Sequence, residues 1–192
     1  MPDRRYPDPG RSARTRIAFY PPASCCIIAP IPRIRVRRLG DFLMPSDPFD
    51  LERFVDAQAA VFDDVLAELA RGKKTTHWMW FVFPQLKALG RSVTARKFGI
   101  SGIEEAAAYL RHPILGLRLR QCIDLLLALD SNDAHAIFGS PDDLKLRSCL
   151  TLFTLASQGE RRFRAALLKF YVGVPDETTT ASLDLSWPPT NP

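Results

Sequence analysis

Residues 77–85 carry the side chains of this chain that are best suited to bind a ligand. They read His-Trp-Met-Trp-Phe-Val-Phe-Pro-Gln, with two of the three tryptophans between a histidine and a glutamine. Because histidine titrates nearest to neutral pH, His77 could act as a general base or contact a substrate. Gln85 could read an amide or the edge of a base. Each also has a structural alternative: His77 could bond the backbone, and Gln85 could satisfy the amides of a turn.

The two tryptophans of this segment cannot both belong to one core if the segment is helical. Trp78 and Trp80 are two positions apart, so a helix points them to different sides. A buried indole also needs a partner for its N–H group. We therefore predict that one ring lies in the core and that the other lines a cavity and stacks on a ligand.

Two later apolar segments carry polar side chains that could complete such a site. Arg118, if buried, needs either an acidic partner or an anionic ligand. Lys145 and Ser148 add polar groups to a helix that should otherwise face inward. The structural alternative is ion pairing with aspartates, namely Asp124, Asp142 and Asp143. The predicted ligand-binding set is His77, Trp78, Trp80, Gln85, Arg118, Lys145 and Ser148.

No familiar reaction motif accompanies these residues. The chain has no phosphate-binding loop, no dinucleotide fingerprint, no zinc-ligand spacing and no Ser-His-Asp order. We therefore predict no cofactor and no metal, and we assign no catalytic residue. Cys122 and Cys149 stand alone in apolar segments, which predicts free buried thiols and a reducing, cytoplasmic location.

The positive charge of the chain is confined to its beginning. The whole sequence has a net charge of +5, but residues 1–43 contain nine arginines and only three aspartates, which leaves −1 for the remainder. The domain as a whole thus gives no electrostatic reason to expect nucleic-acid binding.

The apolar run 23–31 is nine residues long, far short of the roughly 20 that cross a bilayer. We therefore expect no membrane partner. A small-molecule ligand or a protein partner is compatible with the sequence, and the oligomeric state is left open.

Composition divides the chain into three parts. Residues 1–43 contain seven prolines, which break helices and central strands, so we predict a disordered leader or translated sequence upstream of a true start at Met44. Residues 44–184 form the predicted helical domain, and residues 185–192 a flexible tail. A chain that begins at Met44 should therefore be as stable as the full chain.

Helical periodicity and capping residues recur throughout the predicted domain, so the fold class is all-α, a compact single-domain multi-helix bundle. Segment 113–128 is apolar on more than one face and is predicted to be the central, most buried helix. Glu68 is expected on a solvated face of the first helix. The predicted helices cover 48–71, part of the aromatic segment, 92–98, 102–111, 113–128, 131–139, 141–157, 160–172 and a short stretch after Pro175.

Four blocks of the sequence resemble those of a bacterial and fungal family known as domain of unknown function 1810. They are residues 77–85, Gly90 with Ser92, residues 112–119 and residues 143–153. The resemblance covers roughly Asp47 to Leu183 and implies a mainly α-helical domain without an established activity. Phe98 stands where the family usually has tyrosine, and Cys149 where it has serine or a similar small residue. If that tyrosine hydroxyl took part in chemistry, this member lacks it.

Two classes of function fit these observations. The first is a domain that binds or processes a small molecule, anionic or nucleotide-like, in a pocket lined by tryptophan, histidine and arginine. The alternative is a protein- or peptide-interaction module with an exposed aromatic patch. A concave site in which His77 and Arg118 converge favours the first, and a flat apolar patch favours the second. Whether the protein is an enzyme is left open.

Overall fold

The computed structural model describes residues 47–184 and Trp187, so the predictions for residues 1–43 and for the rest of the tail lie outside the described residues. Within this part the predicted all-α fold is confirmed. No strand forms there, and one isolated bridge pairs Leu86 with Ile100. The ten helices are α1 Glu52–Ala59, α2 Phe62–Ala70, α3 Met79–Val82, α4 Val93–Lys97, α5 Ile103–Arg111, α6 Leu115–Ala128, α7 Ala134–Phe138, α8 Asp142–Ala156, α9 Arg161–Tyr171 and α10 Glu177–Leu183.

The first predicted helix is two helices. The chain turns at residues 60–61, where the Val61 N–H donates to the Gln58 carbonyl at 3.1 Å. Helix α1 packs against α3, whereas α2 packs against α6. A single straight helix could not present one apolar stripe to both partners. The turn thus reflects tertiary packing, which local periodicity does not encode.

Helix α6 lies in the core, as predicted for segment 113–128, with six buried residues, but α8 has eight. Helix α6 keeps an exposed face, on which Leu117 is 69% exposed. The buried residues of α8 include Ser148, Thr151 and Thr154. Their hydroxyls donate to the carbonyls four residues earlier, at 3.2, 2.9 and 2.7 Å. Because each hydroxyl finds its partner within the helix, these polar residues can be buried at little cost.

The turn between α5 and α6 depends on glycine at position 116. A Cβ atom there would lie 2.1 Å from the Leu110 carbonyl oxygen, so a larger residue would force the backbone apart. His112 caps the start of α6, because its Nδ1 accepts the N–H groups of Ile114 and Leu115, both at 3.3 Å. The histidine before the proline is therefore structural.

Cys122 and Cys149 are free, buried thiols, as predicted. Burial raises the pKa of the Cys122 thiol to about 12, so this side chain stays protonated at neutral pH. Both cysteines behave as small apolar residues of the core.

Neither a membrane span nor a metal-ligand cluster occurs in the described part of the chain. No helix of the described residues is both long enough and apolar enough to cross a membrane. Across the same residues, no three histidine, cysteine or acidic side chains are grouped closely enough to hold a metal ion.

Candidate functional site

Trp78 is a core residue whose indole is bonded to a buried carboxylate. The side chain is 1% exposed, and its N–H donates to Glu68 at 2.8 Å. The backbone N–H and the hydroxyl of both Thr75 and Thr76 donate to the same carboxylate, at 2.7 to 3.2 Å. Burial alone would raise the pKa of Glu68, but these hydrogen bonds outweigh it and lower the pKa from 4.5 to about 2. Glu68 is 3% exposed, so its predicted place on a solvated face is wrong: the following loop folds over it.

Trp80 is only partly buried and lies against a cluster of charges. The Nζ atom of Lys145 is 4.8 Å from the centre of its ring. Lys145 also pairs with Asp142 at 2.7 Å, and Lys74 pairs with the other oxygen of that carboxylate at 2.7 Å. Lys145 therefore has the aspartate partner that was its structural alternative. The Lys74–Asp142 pair joins the loop after α2 to the start of α8.

Arg118 and Arg120 have different surroundings although both belong to α6. Arg120 pairs with Glu160 at 2.9 Å. Arg118 lies over the ring of Phe62, 4.6 Å from its centre, and donates to the Gln58 side chain at 3.3 Å. Within residues 47–184, no carboxylate lies within 4.0 Å of Arg118. Of the two arginines, Arg118 keeps donors for an anionic ligand.

The remaining predicted residues lie in separate environments. His77 is exposed, and the Ser148 hydroxyl is bonded inside α8. The Gln85 carbonyl accepts the N–H of Ile100 at 2.9 Å. Trp80 and Lys145 are thus in direct contact, while Arg118 has other neighbours. That these residues share one ligand stays a prediction.

A basic cleft of about 410 Å³ lies at a different place, between the start of α1, the end of α4 and the turn before it. Its volume is within the usual range for small-molecule pockets, roughly 300–1,000 Å³. Its lining contains four basic and two acidic side chains. The cleft is lined by Pro48, Phe49, Asp50, Arg53, Lys87, Arg96, Lys97, Gly99, Ser101 and Glu105.

The segment after the aromatic block builds one wall of the basic cleft. The Lys87 N–H donates to the Ile100 carbonyl at 2.8 Å, which draws the turn around Lys87 against the chain that follows α4. Glycine is required at position 99, because a Cβ there would lie 2.5 Å from the Lys87 Cα. Ser92 caps α4 by accepting the N–H of Ala95 at 3.0 Å. Gly99 and Ser92 thus help to fix the backbone that carries Lys87, Arg96 and Lys97.

Arg53 forms the floor of the basic cleft and is fully engaged. It pairs with the buried Glu105 at 2.5 Å and donates to the carbonyls of Lys97 at 3.0 Å and Gly99 at 3.3 Å. Glu105 in turn accepts the N–H and hydroxyl of Ser101, at 2.8 and 2.7 Å. Arg53 and Glu105 therefore neutralise each other, and the pair contributes no net charge to the cleft.

Three further cations line the basic cleft without a carboxylate partner. Lys87, Arg96 and Lys97 are exposed at its rim, and none has a carboxylate within 4.0 Å in the described part of the chain. Asp50 is the one lining acid besides Glu105. The cleft thus carries a local excess of two positive charges, an arrangement that attracts anions.

The sequence contains a signal for this cleft that the net charge conceals. Residues 69–103 hold seven lysines and arginines and no aspartate or glutamate. The net charge of the whole domain does not reveal this segment, because acidic helices elsewhere offset its positive charges. Local charge segregation would have identified Lys87, Arg96 and Lys97, but not Arg53, which enters from α1.

Comparisons with known proteins agree with the fold and name no activity. A family model described as a protein of unknown function (DUF1810) matches residues 48–183. The crystal structure of the conserved hypothetical protein Rv1873 from Mycobacterium tuberculosis is similar, with 51% sequence identity and a TM-score of 0.71, over 73% of this chain and 100% of that chain. Comparison with curated proteins gave no match.

Proposed function

The chain belongs to the DUF1810 family, and we propose that it binds a small anionic molecule in the basic cleft. The observation that carries this proposal is that Lys87, Arg96 and Lys97 line one cleft without carboxylate partners, above an Arg53–Glu105 pair that is already neutral. Lysine and arginine both bind phosphate and carboxylate groups, arginine through two parallel hydrogen bonds. The local excess of positive charge in a cleft also raises the concentration of anions there.

Removing two rim cations is expected to weaken binding of a phosphate ester. In isothermal titration calorimetry with ribose 5-phosphate, the double variant Lys87→Gln/Lys97→Gln should bind at least about tenfold more weakly than the wild type, since the loss of even one charge-assisted hydrogen bond costs about 1.5–3 kcal/mol. Uncharged ribose should not bind measurably. Affinity should also fall as salt is added.

A charge-matched variant separates the cleft from the overall charge of the protein. Arg71→Gln/Lys73→Gln also removes two positive charges, but from residues that do not line the cleft. Its affinity for ribose 5-phosphate should stay within about twofold of the wild type, because exposed charges outside the site are largely screened. Equal losses in the two double variants, or no binding by the wild type, would contradict the proposal.

The sequence-predicted site around Arg118 is a second proposal for the same kind of ligand. It is favoured by the absence of a carboxylate partner for Arg118 within the described residues. His77, Trp80 and Lys145 would be its other contributors. The contact of Lys145 with the Trp80 ring, at 4.8 Å, places a cation and an aromatic face together.

Arg118→Met tests whether this arginine anchors an anion or holds the fold. We expect a loss in unfolding free energy of about 1 kcal/mol in urea, because the change leaves no carboxylate unpaired and removes a single hydrogen bond, the 3.3 Å bond to the buried Gln58 side-chain oxygen. The matched variant Arg120→Met removes the partner of Glu160 and should lose more, about 1–3 kcal/mol. A loss of about 3–5 kcal/mol in Arg118→Met would show a structural role instead.

A cytoplasmic location belongs to the proposal. The free thiols of Cys122 and Cys149 support it, since oxidising compartments favour paired cysteines. Expression of a tagged full chain followed by cell fractionation would test the location directly.

A further inference from the structure

We infer that the anion bound in the basic cleft is a phosphate ester that carries a planar ring, of the class of the nucleoside monophosphates. This inference rests on the proposed function, because it assumes that Lys87, Arg96 and Lys97 take the phosphate. It adds two further groups of the cleft lining. Those groups are Phe49 and Asp50, which line the same cleft.

Arg53 connects the segment of Phe49 to the segment of Lys97. The Arg53 guanidinium donates to the Phe49 carbonyl on one side and to the Lys97 carbonyl on the other, the second at 3.0 Å. One side chain therefore bridges the two segments that supply Phe49 and Lys97 to the cleft lining. A ligand that fills the cleft would meet both the aromatic residue and the positive charges, since all of them line it.

Phe49 is only partly buried, so part of its ring is available to a ligand. It packs against the core and also lines the cleft. A planar heterocycle gains dispersion and stacking energy on such a ring, whichever base it is. A bare sugar phosphate has no group that uses this surface.

The carboxylate of Asp50 disfavours a ligand whose only polar group is an anion. Its side chain is exposed in the same cleft, and a carboxylate repels a phosphate but accepts hydrogen bonds from hydroxyl and amino groups. The Ser101 hydroxyl donates to Glu105 at 2.7 Å, which leaves its oxygen as a further acceptor. The cleft therefore suits a molecule that combines a phosphate with hydrogen-bond donors and a ring.

Calorimetry of the full chain with AMP and with ribose 5-phosphate tests this inference. The wild type should bind AMP at least fivefold more tightly than ribose 5-phosphate, as stacking of one base on an aromatic side chain provides. Phe49→Leu should reduce that preference to less than about twofold while it leaves the affinity for ribose 5-phosphate nearly unchanged. Leucine keeps an apolar side chain against the core, and the ratio of the two affinities within one variant is insensitive to small losses of stability.

The outcomes separate this inference from the proposed function. Equal affinities of the wild type for AMP and ribose 5-phosphate would overturn the ring-binding inference and leave the anion site standing. A preference for AMP that persists in Phe49→Leu would also overturn it, because the ring would then bind elsewhere. Binding of neither compound would overturn the proposed function itself.

Discussion

Glu68→Gln is expected to lower the free energy of unfolding by roughly 3–5 kcal/mol. The buried carboxylate accepts five hydrogen bonds, from Thr75, Thr76 and the Trp78 indole. A glutamine offers one oxygen, and its NH2 group would face donors rather than acceptors. At least two donors would lose their partner, each at about 1–3 kcal/mol. Urea denaturation measures the loss.

Glu104→Gln is the matched control, because Glu104 is exposed in the first turn of α5. It should change stability by no more than about 0.5 kcal/mol. A loss below about 1 kcal/mol in Glu68→Gln would contradict the role assigned to this carboxylate.

The pH dependence of stability provides a second measurement on Glu68. The folded state lowers the pKa of this carboxyl from 4.5 to about 2. Its contribution is therefore present in full above about pH 4.5 and is lost as the pH falls towards 2, since the unfolded chain takes up the proton first. The difference in stability between the wild type and Glu68→Gln should shrink across this range. A constant difference would show that the carboxylate is not ionised in the folded state.

Leu126→Ala is expected to cost about 2–5 kcal/mol, the range for a fully buried leucine in a packed core. Leu126 is 0% exposed on the inner face of α6. The same substitution at Leu117, which is 69% exposed on the same helix, should change stability by less than about 1 kcal/mol. Because both changes have the same effect on helix propensity, the difference between them reports burial. Similar losses at both positions, measured by chemical denaturation, would contradict the orientation of α6.

Sequence periodicity predicted most helices of the described chain because the information for a helix is local. Prolines, capping residues and apolar spacing located α4 to α10 within a few residues. The turn between α1 and α2 was missed because it depends on two different packing partners. Helix α8 was predicted to face inward despite its polar residues, and its serine and threonine hydroxyls are satisfied within the helix.

The candidate site was harder to predict because it depends on contacts between distant residues. The block at residues 77–85 indicated two tryptophans as candidate site residues, and one of them, Trp78, lies in the core with its indole bonded to Glu68. The cleft instead requires Arg53 of α1 to reach Glu105 of α5, a separation of 52 residues. It also requires the bridge between Leu86 and Ile100. Neither contact follows from periodicity or from a short motif.

A titration of the 15N-labelled protein with ribose 5-phosphate, followed by amide chemical shifts, tests the central claim most directly. If the anion binds in the basic cleft, the largest shifts should occur at Lys87, Lys97, Gly99 and Ser101, which line it. They should be lost in Lys87→Gln/Lys97→Gln and kept in Arg71→Gln/Lys73→Gln. Shifts centred on Trp80 and Lys145 or on Arg118, with the cleft unchanged, would contradict the account.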